Sequence, residues 1–155
     1  MMNTAETGKI KFHFLIDPFH FKDRTMVKVF LINLFRKKRR RVDAVNYIFC
    51  TDEYLLNVNK EYLNHDTYTD IITFELSEKG QPLLSDIYIS IDRIRENAKL
   101  FNVSFKQELH RVMFHGALHL CGYNDKSVNE MTAMKDQENR CLSEFFVSRE
   151  IGLKD

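Results

Sequence analysis

Apolar positions along this chain recur with two periods, and the switches between them mark nine elements. From Lys9 to Ile16, polar and apolar residues alternate at first, as in a half-buried strand. Asp17-Pro18 ends that pattern. From about Lys22 to Arg39, the residues Met26, Val27, Phe30, Leu31, Leu34 and Phe35 recur at three- and four-residue steps, which predicts an amphipathic helix. Val42 to Cys50 reads as a second strand, with Val45, Tyr47 and Phe49 on one face. Thr51-Asp52 offers capping oxygens to a helix running to Leu63.

After a polar loop, Ile71 to Leu76 is β-branched and aromatic enough for a third strand. A turn with Gly80 and Pro82 leads to a fourth, Asp86 to Ile91. Asp92 can cap the next helix, which reaches about Phe101. Ser104 to Gln107 and Ser127 to Glu130 each fit a capping box and open two further helices. The last helix turns Met131, Met134, Cys141, Leu142, Phe145 and Phe146 to the core. The order β-α-β-α-β-β-α-α-α implies an α+β fold: one domain over residues 1–155, with a small mixed four-stranded sheet packed by helices.

Composition changes this picture little. With 155 residues, 44% apolar and 29% charged, the chain suits one soluble core, and no run approaches the roughly 18 apolar residues of a membrane span. The three scattered cysteines, Cys50, Cys121 and Cys141, fit reduced thiols and a cytoplasmic location better than a disulfide framework. Net charge is only +1, yet Arg36, Lys37, Lys38, Arg39, Arg40 and Arg41 are consecutive. Such a run can neutralise several phosphates of a nucleic acid; its plainer role is a solvated helix end whose cations complement the macrodipole.

The sharpest chemistry lies at His115-Gly116-Ala117-Leu118-His119-Leu120-Cys121-Gly122-Tyr123-Asn124-Asp125. Histidines four apart share one helical face, so His115 and His119 can take two positions around one metal ion. Gly122 can stop the helix in a left-handed turn and bring the Asp125 carboxylate to the same ion. Two His, one carboxylate and a position left for water form a catalytic zinc set. The plainer alternative is coincidence on an amphipathic helix followed by ordinary punctuation. Gly116 occupies the position where a His-Glu-x-x-His protease carries its general base, so that enzyme class is disfavoured. A helical glycine costs about 1 kcal/mol against Ala, so Gly116 also implies close approach of a strand or substrate.

This segment resembles the YbeY family of endoribonucleases, whose motif reads His-Gly-x-x-His-x-x-Gly-Tyr-Asp-His. The family's third ligand, a His, falls on Asp125 here. Asn59-Lys60-Glu61-Tyr62, Asp66, and Thr69-Asp70-Ile71-Ile72-Thr73-Phe74 resemble its second block, and Ser85 to Ser90 resembles its Gly-Asp-Ile-x-Ile-Ser strand. The family's functional Arg falls on Leu63, which cannot stabilise a negatively charged transition state. Arg111, one turn before His115, is the candidate catalytic cation in its place, with Lys60 second; a salt bridge with Glu108 is the plainer role for Arg111.

The resemblance implies a single-strand-specific endoribonuclease with one Zn2+ per chain, held by His115, His119 and Asp125. It further implies action in 16S rRNA 3′-end maturation and ribosome biogenesis. Its partners would be rRNA, the small ribosomal subunit and assembly factors, with no DNA and no membrane. Arg36 to Arg41 would grip phosphates, and Tyr68 or Tyr123 would stack on bases. His65 in the polar loop is a further RNA contact, whereas His13 and His20 read as structural. The alternative is a non-catalytic ribosome-assembly factor with a structural metal.

Overall fold

A computed structural model describes residues 4–19, 21–65 and 67–154, without the side chains of residues 4 and 148–154. His20 and Asp66 lie outside the described residues. All nine expected elements are present, preceded by one helical turn, α1 (Thr4–Thr7). They are β1 (Ile10–Phe14), α2 (Arg24–Lys37), β2 (Val42–Cys50), α3 (Asp52–Leu63) and β3 (Ile71–Glu75). Then come β4 (Leu83–Ser90), α4 (Ile91–Phe101), α5 (Phe105–Leu120) and α6 (Val128–Lys154). The fold is α+β, with a four-stranded mixed sheet of order β1-β2-β4-β3. The pairs β1–β2 and β2–β4 are parallel, and β3 runs antiparallel to β4 at the edge.

The sheet's two faces differ. Val45, Tyr47 and Phe49 of β2, with Ile87 and Ile89 of β4, belong to the main core with Leu31 and Phe35 of α2, Val112 and Met113 of α5, and Phe145 of α6. The Tyr47 hydroxyl, fully buried, donates to the Met113 carbonyl at 2.8 Å. That bond satisfies the phenol and pins α5 to the centre of the sheet. A second, smaller cluster joins Leu55 and Val58 of α3 to Cys50 and Ile72 on the other face.

Local signals place most boundaries. Thr51 Oγ1 accepts from the Tyr54 amide and Ser104 Oγ from the Gln107 amide. Ser127 and Glu130 exchange both bonds of the capping box. Three expectations are corrected. Ser90, not Asp92, caps α4, because β4 runs to Ser90 and its Oγ accepts from the Arg93 amide; Asp92 instead accepts from the Asp52 amide. β4 begins at Leu83, earlier than its apolar alternation implies, because the amide of Leu83 reaches the Arg41 carbonyl beside the start of β2. Met131 is in phase with the apolar stripe of α6 yet 54% exposed, bordering an open groove with Phe101.

Gly116 is explained by packing. A Cβ there would stand 2.8 Å from Ile71 Cδ1 and 3.3 Å from Ile87 Cγ2. Helix α5 thus lies hard against β3 and β4 at the residue next to His115.

Candidate active site

His115 and His119 sit one turn apart on α5, and the chain turns sharply after them. The amide of Gly122 bonds the His119 carbonyl and that of Tyr123 the Leu118 carbonyl, a Schellman motif with Gly122 at φ +103°. The turn sends Asp125 back over the helix, so that Asp125 Oδ2 stands 3.5 Å from His115 Nε2. All three side chains line a cleft of about 550 Å³, within the range of ligand sites. Asn59 and Leu63 of α3, the loop from Thr67 to Asp70 and the first residues of β3 form its other wall.

Both imidazoles are oriented from behind. His119 Nδ1 lies 3.1 Å from the Tyr123 carbonyl, which can only accept, so Nδ1 carries the proton. His115 Nδ1 lies 2.7 Å from Glu138 Oε2 on α6. The Nε2 atoms are left for a ligand, the arrangement in which an outer carboxylate or carbonyl fixes a metal-binding His. The 3.5 Å between His115 Nε2 and Asp125 Oδ2 is close to the roughly 3.3 Å between adjacent donors on a tetrahedral zinc. Among the described residues no group of three His, Cys, Asp or Glu is gathered tightly enough to hold a metal ion as it stands. A side-chain adjustment is therefore needed to close the set. In donor type and tautomer, and in the spacing of the His115–Asp125 pair, the residues suit zinc; the three together are not yet within reach of one ion.

Arg111 reaches the same cleft, but its guanidinium is heavily engaged. Nε and Nη2 donate to the two oxygens of Glu108 at 2.9 and 2.6 Å, and Nη1 donates to Glu138 Oε1 at 2.8 Å. Glu108 and Glu138 are both buried, so this is an interior network rather than a surface pair. Glu138 thus bridges Arg111 and His115. Burial works to raise its carboxyl pKa, but the bonds from His115 and Arg111 outweigh burial and hold it below the ordinary value. Asp70 also lines the cleft, with Oδ2 accepting from Asn97 at 3.3 Å. Burial pushes its carboxyl above the usual range, partly offset by the charges of Arg111 and His115.

Residues 18–146 match the family described as Endoribonuclease YbeY. The chain belongs to the YbeY family. It is 45% identical over 125 residues to the Endoribonuclease YbeY of Cytophaga hutchinsonii, covering 81% of this chain and 87% of that protein. With the Endoribonuclease YbeY of Flavobacterium psychrophilum it shares 44% over 140 residues, covering 90% and 99%. It is also similar to the solution structure of a Thermotoga maritima protein, with a TM-score of 0.63 at 25% identity, covering 92% and 93% of the two chains.

Relative to the YbeY motif, Leu63 lines the cleft at the position of the family Arg and is 41% exposed. His65 lines the cleft too, whereas Lys60 is exposed on α3 and is not among the lining residues. Tyr68 is exposed beneath the guanidinium of Arg93. The Tyr123 hydroxyl accepts from Lys38 Nζ at 2.9 Å.

Most of the basic run is tethered. Arg36 pairs with Glu6, Lys37 with Glu144 and Arg40 with Glu75, while Lys38 bonds Tyr123 and Gln137. Arg39 and Arg41 are exposed and have no ion-pair partner among the described residues. His13 bonds Asn46 on the sheet. His110 is buried among Phe21, Phe114, Phe145 and Phe146, with Nδ1 2.6 Å from the Lys106 carbonyl.

Sequence reasoning did not single out Glu138, Glu108 or Asp70 as site residues. One signal for Glu138 was available: it falls in phase with Met134, Cys141 and Phe145, a charge within an apolar stripe. A carboxylate in that phase must be buried, and a buried carboxylate needs a cation or strong donors. Asp70 sits in a polar loop with no such phase, and its one signal is its place in the Thr69 to Phe74 block.

Proposed function

We propose that this YbeY-family endoribonuclease cleaves single-stranded RNA with one Zn2+ ion per chain, held by His115, His119 and Asp125, in the maturation of the 16S rRNA 3′ end. The observation that carries the reading is the pair of oriented imidazoles with Asp125 Oδ2 3.5 Å from His115 Nε2 on the wall of an open cleft. A zinc ion held by these residues would supply Lewis-acid stabilisation of a phosphoryl oxygen and activation of water. Three protein donors would leave a position open, as a catalytic rather than a structural zinc requires.

The chain's own residues supply the rest. Glu138 and the Tyr123 carbonyl fix the two imidazoles. Arg111 brings a positive charge to the cleft wall, held in place by Glu108 and Glu138, and acts on a phosphate's developing charge. Asp70, its carboxyl pushed above the ordinary range by burial, is a group in the cleft suited to hold or release a proton. Arg36 to Arg41 attract the RNA backbone, making binding strongly salt-dependent. The rRNA substrate implies a cytoplasmic protein working with the small ribosomal subunit and its assembly factors. Among the described residues no helix is long and apolar enough to cross a membrane.

A second reading, a non-catalytic assembly factor with a structural metal, is favoured by Leu63, an apolar side chain on the cleft wall where the family carries Arg. Zinc content and RNA cleavage, measured for the wild type and a folded His119→Ala variant, separate the two. Stoichiometric zinc and cleavage, both lost in the variant, support the metallonuclease. Zinc without cleavage of any single-stranded or rRNA substrate supports the assembly factor. Absence of zinc from the wild type would remove both.

A further inference from the structure

A second cavity, of about 520 Å³, lies where α2 ends and β2 and β4 begin. Lys9, Arg36, Arg39, Arg40 and Arg41 line it, and Ile32, Phe35, Val42 and Pro82 form an apolar wall. Two carboxylates answer these five cations: Glu6 bonds Arg36 at 3.1 Å and Glu75 bonds Arg40 at 3.0 Å. Lys9, Arg39 and Arg41 have no ion-pair partner among the described residues. The Arg40 Nε–H is buried and has no acceptor among the described residues. That atom is closed off from the cavity, so it is the charge of Lys9, Arg39 and Arg41 that makes an anion favourable there.

The backbone holds these cations in place. The Arg39 amide bonds the Arg36 carbonyl and the Arg40 amide bonds the Phe35 carbonyl, a Schellman motif that ends α2. Arg39 occupies its left-handed position at φ +61°, where glycine is the usual residue. The motif therefore presents a guanidinium where no side chain is required for the turn.

We propose that this cavity is a subsite for one nucleotide unit of RNA, remote from the catalytic cleft. Arg39, Arg40 and Arg41 take the phosphate, and the base or ribose lies against Ile32, Phe35, Val42 and Pro82. The proposal rests on the RNA-cleaving reading and deepens it by giving the strand a second anchor. Strand β3 sets the spacing: Asp70, just before it, lines the cleft, and Glu75, at its end, pairs with Arg40. Five residues at about 3.3 Å each put Asp70 and Glu75 roughly 17 Å apart. An acidic protein segment also suits a basic rim, but it does not account for the apolar wall inside the cavity.

The test is calorimetric titration of the full chain with uridine 5′-monophosphate at low salt. The proteins are wild type, Arg39→Gly/Arg41→Ala and His119→Ala, each checked by its thermal midpoint. Arg39→Gly keeps the left-handed turn, so the double variant removes charge without breaking the motif. Binding by the wild type, weakened roughly tenfold or more in the double variant and kept within about twofold in His119→Ala, supports the subsite. No binding by the wild type, or equal binding by the double variant, overturns it and leaves an acidic protein as the ligand to try. Loss in His119→Ala alone also overturns it, by placing the nucleotide in the cleft. None of these outcomes depends on RNA cleavage, so failure here is distinct from failure of the nuclease reading.

Discussion

Glu138 Oε2 on α6 and His115 Nδ1 on α5 stand 2.7 Å apart, and through this pair the last helix determines how the candidate metal face is presented. The other oxygen of Glu138 accepts from Arg111, so one buried carboxylate orients both the imidazole and the guanidinium.

The pair gives stability a defined pH dependence in the metal-free protein. Burial opposes protonation of His115, but the bond and charge of Glu138, with Asp125 and Asp70, outweigh it and raise the imidazole pKa above 6.5. That contribution is complete below about pH 6.5 and is lost as pH rises through the folded value. The carboxyl of Glu138 is depressed below 4.5, so its contribution is complete above that value and is lost as pH falls through the folded one. Glu138→Gln is expected to cost roughly 2–4 kcal/mol between about pH 5 and pH 6.5, with the gap from wild type narrowing on both sides. Urea unfolding at acidic, intermediate and alkaline pH measures it; a pH-independent gap would contradict this account.

Arg111→Ala strands the buried carboxylate of Glu108 and leaves that of Glu138 with His115 alone. Leaving Glu108 and Glu138 without their shared cation is expected to lower stability by about 3–5 kcal/mol. Part of the loss should return in Arg111→Ala/Glu108→Gln, where the stranded charge is gone. Activity of that double variant, read where it is folded, then reports on the cation in the cleft. Full cleavage with bound metal would end its proposed role.

Gly116→Ala tests the contact between α5 and the sheet. Helix propensity favours Ala by about 1 kcal/mol, but the new methyl meets Ile71 Cδ1 at 2.8 Å. Overpacking costs of about 1–3 kcal/mol should prevail, for a net loss near 1 kcal/mol. Because Ile71 follows Asp70 and lines the cleft, activity should fall with stability. Ile71→Val deletes the clashing methyl, so Gly116→Ala/Ile71→Val should recover most of the stability. Thermal midpoints of the three variants decide it.

Asp125→His exchanges an anionic donor for a neutral one. With less negative charge at the metal, the acidic limb of the pH–rate profile is expected to move to lower pH. An unmoved profile in a variant that still binds stoichiometric zinc would exclude Asp125 as a ligand.

Much of this protein is determined by its sequence alone. The periods of the apolar positions, the caps at Thr51, Ser104 and Ser127, and Gly122 are local signals, set by neighbours within about five residues. They mark where strands, helices and the turn after His119 begin and end without reference to any tertiary contact. His115 and His119 share a face for the same local reason. The tertiary structure decided what distance along the chain conceals. Glu138 lies 23 residues beyond His115, and Leu63 and Asp70 reach the cleft only because α3 and β3 pack beside α5. Local backbone preference carries no information about such pairings. They follow from which faces the sheet can bury together, and that is settled when β3 joins the edge of β4 and α6 closes over α5.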